Sequence, residues 1–116
     1  MRYGFDCVFY YVSDVDRSVR FYQEVLGLKV TSQDFVTRFE VGGVLFELVP
    51  TTDRGKLQGG GNARLCLAVD DMAAAIADLK KKGVKTAEVQ KKHNGLLSSF
   101  TDPDGNEICL WQDAAK

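Results

Sequence analysis

The stretch FTDPDGNEICLWQ, Phe100 to Gln112, reads as the end of one strand, a tight turn and the strand that returns from it. Asp102 to Asn106 (DPDGN) joins a proline that presets φ to a glycine that tolerates positive φ, with Asx side chains on either side able to bond the local backbone. Beyond the turn, alternation along an extended chain puts Ile108 and Leu110 on one face and Glu107, Cys109 and Trp111 on the other. The first pair suits a core. The second group, a carboxylate, a thiol and an indole, suits the lining of a site.

Upstream of this hairpin the chain predicts a strand at Lys85–Val89, a loop at Gln90–Gly95 and a strand at Leu96–Thr101. Before them, Arg64–Val69 reads as a strand and Asp70 or Asp71 as a helix cap. Met72, Ile76 and Leu79 follow at helical spacing, and Gly83 ends the helix. Lys80–Lys82, in its last turn, reads as a solvated face. The same order stands earlier in the chain. Phe5–Val12 is strand-like, Ser13-Asp14 caps a helix carrying Val15, Val19, Tyr22 and Leu26, and Gly27 stops it. Strands are expected over Leu28–Ser32, Phe35–Val41 and Val44–Val49, the last two joined by a Gly42-Gly43 hairpin turn. The chain is thus an internal repeat, with Val12, Asp14 and Gly27 matched by Val69, Asp71 and Gly83. Thr51–Asn62 (TTDRGKLQGGGN) reads as a flexible connector between the halves. Its Gly55-Lys56 lacks the spacing and the strand–loop–helix setting of a phosphate loop. Asp113–Lys116 reads as a frayed tail.

Composition sets the outer bounds. A chain of 116 residues is one domain's worth. A formal net charge of -1 offers no electrostatic reason to expect nucleic acid or an anionic membrane. No apolar run has transmembrane length, and a cytoplasmic protein is expected. Cys7, Cys66 and Cys109 lie in strand-like segments without CxxC spacing, so reduced thiols are the default reading.

Two copies of strand–helix–strand–strand–strand, with YVSDVDRSVRFYQEVLGLKV at Tyr11–Val30 and the closing FTDPDGNEICLWQ, resemble the vicinal oxygen chelate superfamily, the group of glyoxalase I, bleomycin-resistance proteins and extradiol dioxygenases. The resemblance implies an α+β fold, one domain over 1–116, in which two βαβββ modules form curved mixed sheets around a crevice. Module 1 covers about 1–50, a linker 51–62, and module 2 about 63–113. It also implies a homodimer, with modules paired within or between chains. Enzymes of the family hold a divalent metal through His or Gln, Glu, His and Glu. Those positions fall here on Cys7, Glu47, Arg64 and Cys109.

The residues depart from that set. Arg64 cannot ligate, because its guanidinium stays protonated and only donates. The single histidine, His93, falls in a loop away from every ligand position, which leaves nothing for the imidazole pair of an iron dioxygenase. The resulting expectation is a bleomycin-resistance-like protein with a degenerate metal site and no cofactor. It would bind a small organic ligand through Cys7, Phe9, Tyr11, Glu47, Arg64, Cys109 and Trp111. Arg64 would fork onto an anionic group, and Phe9, Tyr11 and Trp111 would pack on the ligand. Empty, Glu47 and Arg64 would form an ion pair. Two alternatives stay open: a lyase or isomerase of the glyoxalase type, either zinc-dependent through Cys7, Glu47 and Cys109 or metal-free with Glu47 as general base, and a partner-binding or regulatory module. Cys7 and Cys109 read first as packed thiols, ahead of a reactive or metal-binding role, and as a disulfide only if their backbones approach.

Overall fold

The structure, a computed structural model, describes residue 2 and residues 6–57 and 64–114. The chain divides into two compact units, 1–58 and 59–116. Each carries a four-stranded mixed sheet and one main helix.

In the first unit β1 (Val8–Val12) leads through the cap residue Asp14 into α1 (Val15–Arg20), and β2 (Lys29–Gln33), β3 (Thr37–Val41) and β4 (Val44–Pro50) follow. The sheet order is β1-β4-β3-β2, with β1 and β4 parallel and the other pairs antiparallel. The expected strand start at Phe5 lies outside the described residues. Asp14 is extended and accepts from Arg17 N–H at 3.1 Å, the bond an N-cap exists to make. Gly42 and Gly43, at φ 57° and 83°, make the two-residue turn between Val41 and Val44. The core is aromatic: the Tyr22, Phe39 and Phe46 rings pack with centroids 5.1–5.9 Å apart, all three fully buried, and Tyr10 stands edge-on to Phe46. Burying each such ring contributes about 1.5–3 kcal/mol.

The expected helix continues past Arg20, but as one wide π turn over Phe21–Val25. Asp14 to Gly27 holds one residue more than Asp71 to Gly83 in the second unit, and the wider turn takes up that residue.

The second unit repeats the plan: β5 (Leu65–Ala68), α2 (Met72–Lys81), β6 (Gln90–Lys92), β7 (Gly95–Thr101) and β8 (Glu107–Asp113), in sheet order β5-β8-β7-β6. Asp71 caps α2 by accepting from Ala74 N–H, and Gln112 Oε1 takes Met72 N–H at 2.5 Å, tying the helix start to β8. Met72, Leu79, Phe100, Ile108 and Leu110 are buried. Lys80, Lys81 and Lys82 are exposed as expected. The DPDGN turn is held by Asp102, only 4% exposed, whose carboxylate accepts from Asp104 N–H, Asn106 N–H and Asn106 Nδ2, each at 2.9 Å.

Three expectations change. Lys85–Val89 is not a strand; it meets β7 through Ala87, whose N–H donates to Ser99 O and whose carbonyl accepts from Ser98 Oγ. The strand lies instead at Gln90–Lys92, which was expected to be loop, because the two-residue turn His93-Asn94 closes a hairpin there. An edge strand of lysines looks like a loop by polarity alone. The tail begins later than expected, since Asp113 belongs to β8 and Ala114 N–H bonds Asn94 O. Of the connector, residues 58–62 lie outside the described residues, while Arg54–Lys56 forms a short 3-10 turn capped by Asp53.

Candidate functional site

Alternation along β1 and β4 divides the first sheet. Val12, Phe46 and Leu48 face the helix, while Cys7, Phe9, Tyr11 and Glu47 share the opposite face. Phe9 is opposite Glu47 in the parallel ladder, and Arg38 is opposite Glu47 on the antiparallel side. Glu47 is therefore flanked on both sides within one sheet. Arg38 Nε donates to Glu47 Oε2 at 3.0 Å, and the Cys7 thiol donates to Oε1 at 3.6 Å. Arg38 also reaches Asp34 Oδ2 at 3.0 Å and Ser32 Oγ at 3.3 Å. The Asp34 carboxyl is held below its ordinary range, first by Val36 N–H and then by Arg38. Burial, followed by the charge of Glu47, pushes the Cys7 thiol up.

The expected partner of Glu47 is Arg64; the partner in place is Arg38. Sequence reasoning missed Arg38, although the Gly42-Gly43 turn carries the signal: pairing Val41 with Val44 places residue 38 opposite residue 47. Lys56, which the sequence excludes from a phosphate loop, also stands here. Its Nζ stands 5.1 Å from the centre of the Tyr11 ring, a cation–π distance. Phe9 and Tyr11 meet edge to face at 5.3 Å, and Phe9 is 45% exposed, the profile of an apolar surface open to a guest.

The second sheet repeats the face with other chemistry. Arg64 pairs with Glu107 at 3.2 Å, Cys66 is the ladder partner of Cys109, and Ala68 that of Trp111. Burial raises the Cys66 and Cys109 thiols; Cys66 and Glu107 add to the rise at Cys109, and Arg64 opposes it. All three cysteines are free. Trp111 donates from Nε1 to Asp113 at 2.6 Å. Its ring lies against Gly95, where an added Cβ would stand 2.5 Å from the indole. His93 is exposed in its turn.

The residues at the four family metal positions do not fit the metal. Arg64 is a permanent cation, and the Glu47 oxygens accept from Arg38 and Cys7. Among the described residues, no three His, Cys, Asp or Glu side chains are grouped so as to hold a metal ion. Nor, among those residues, is any helix long and apolar enough to cross a membrane.

Comparison with known proteins agrees with this architecture. A probable lactoylglutathione lyase of Synechocystis sp. (strain ATCC 27184 / PCC 6803 / Kazusa) is 30% identical over 121 aligned positions, covering 90% of this chain and 92% of the relative. A chloroplastic probable lactoylglutathione lyase of Arabidopsis thaliana is 29% identical over 89% of this chain, which spans only 34% of that longer protein. The crystal structure of TnmS3, an antibiotic binding protein from Streptomyces sp. CB03234, superposes with a TM-score of 0.78 at 27% identity, covering 97% of this chain and 98% of that one. Residues 4–110 match the model of the Glyoxalase/Bleomycin resistance protein/Dioxygenase superfamily, and the chain belongs to that family.

Proposed function

We propose that this protein binds a small organic ligand, aromatic and anionic in character, without metal-dependent chemistry. The observation that carries the reading is the engagement of Glu47. Its oxygens accept from Arg38 and Cys7, where a metal-dependent relative would present a carboxylate to an ion. Phe9 and Tyr11 supply the apolar surface, with Lys56 beside Tyr11. Arg64 selects the anionic group by exchanging Glu107 for a ligand carboxylate or phosphate. Cys7, Cys109 and Trp111 complete the set of contact residues. The antibiotic-binding function of TnmS3 supports a sequestering role of this kind. A homodimer is part of the proposal.

A second reading follows from the names of the lyase relatives: a lyase or isomerase of the lactoylglutathione lyase type, metal-free with Glu47 as base. The two readings separate in one set of measurements. Titration calorimetry with a panel of aromatic carboxylates on the wild type, Phe9→Ala and Arg64→Gln is set beside a lactoylglutathione turnover assay with and without added zinc or nickel. Binding that weakens in both variants, with no turnover, supports sequestration. Turnover that disappears in Glu47→Gln overturns it in favour of the lyase, and light scattering reads the oligomeric state in the same samples.

A further inference from the structure

The second sheet brings two thiols side by side on a face whose other residues are an ion pair and an indole. Cys66 and Cys109 are direct partners in the parallel β5–β8 ladder, and they share the face that carries Arg64 and Glu107. Cys66 is exposed and Cys109 half-buried, so both are open to small species. We propose that Cys66 and Cys109 form a two-coordinate thiolate site for a soft monovalent cation, copper(I).

Width is the first argument. Neighbouring strands lie about 4.8 Å apart, which sets the separation of side chains standing directly opposite each other. A disulfide asks for Cβ atoms about 3.8 Å apart, so the ladder holds this pair too wide for an unstrained bridge. A thiolate–metal bond is about 2.3 Å, and two such bonds end to end span about 4.6 Å, close to the strand spacing. The geometry that resists a disulfide accommodates a linear S–metal–S unit.

Ligand number and softness narrow the ion. Zinc asks for four ligands, and among the described residues no group of three or more candidate side chains exists. Copper(I) prefers soft thiolates and accepts two of them. Binding breaks two S–H bonds and forms two Cu–S bonds. Copper stays in the +1 state and both protons pass to solvent. The site thereby moves from neutral to one net negative charge; near Cys109 the Arg64 guanidinium favours that charge and the Glu107 carboxylate, its ion-pair partner, opposes it. Ser99, the partner of Cys109 on its other side, adds a hydroxyl able to donate to the sulfur. Cys109 stands at one of the family's metal positions and Cys66 at none, so the pair is a donor set that the family's four positions do not supply.

The test is anaerobic titration of the reduced protein with copper(I) against a chromophoric copper(I) chelator, for the wild type, Cys66→Ser, Cys109→Ser and Cys7→Ser. The expected result is one copper per chain withheld from the chelator by the wild type. Affinity should fall in Cys66→Ser and in Cys109→Ser by more than the roughly 10–100-fold that losing an outer partner of a metal ligand costs. Because Cys66 is exposed, its serine variant keeps the fold, which circular dichroism verifies. Surrender of all the copper by the wild type overturns the proposal. So does unchanged affinity in Cys66→Ser, equal loss in Cys7→Ser, or one copper shared by two chains.

Discussion

Arg38 and Glu47 are ladder partners across β3 and β4, and their side chains close a 3.0 Å ion pair on the face away from the helix. Glu47 is the more enclosed of the two, 16% exposed against 32% for Arg38. Arg38→Met keeps the apolar stem and removes the charge, leaving Glu47 with the weak Cys7 donor. The expected outcome is a modest loss of stability, limited by the solvent that reaches the pair. Combining it with Glu47→Gln should recover part of that loss, and denaturant unfolding of the four proteins in a double-mutant cycle reads the coupling.

Thiol ionisation sets an upper pH limit. Cys7, Cys66 and Cys109 all sit above their ordinary value of 9.0, with burial the leading cause at each. The unfolded chain releases these protons first. The contribution to stability is therefore complete below about pH 9 and is lost as pH rises through the raised folded values. Melting temperature followed from pH 8 to pH 11 should fall less steeply in Cys66→Ser than in the wild type; parallel curves would contradict the assignment.

Gly95 has a packing role that its negative-φ backbone does not reveal. A methyl there would meet Gln112 O and the Trp111 ring. Gly95→Ala should cost about 1–3 kcal/mol through strain and displace the indole. Trp111 is the sole tryptophan, so its emission reports the displacement directly.

Asp102 organises the closing turn from a nearly buried position. Asp102→Ala removes the acceptor of three hydrogen bonds and leaves their donors without it, an expected loss of about 3 kcal/mol. Asp102→Asn retains one carbonyl acceptor and should fall between the two in thermal unfolding.

Turn chemistry made much of this fold legible. DPDGN, Gly42-Gly43 and the Asp14 and Asp71 caps are local signals, and each stands where its residues predict. Ile108 and Leu110 face the core because alternation runs unbroken from that turn. Arg38 was legible by the same arithmetic but reads as a solvated strand residue until its partner is placed. The adjacency of Cys66 and Cys109 was not legible, because parallel strands are joined by long crossovers and no short turn sets their register. β6 was hidden by its own lysines, and the π turn by a helical period that differs from it by a single residue.

That π turn bears on how a duplicated architecture can diverge. The surplus residue is housed inside the helical segment, between the Asp14 cap and the Gly27 stop, so the lengthening stays out of the strands on either side. A change of length that would have flipped every side chain of a strand to the wrong side is absorbed as a local widening of the coil. The halves are thus free to differ in length while their sheets keep the same inward and outward alternation, and chemistry can be exchanged on one half without disturbing the other.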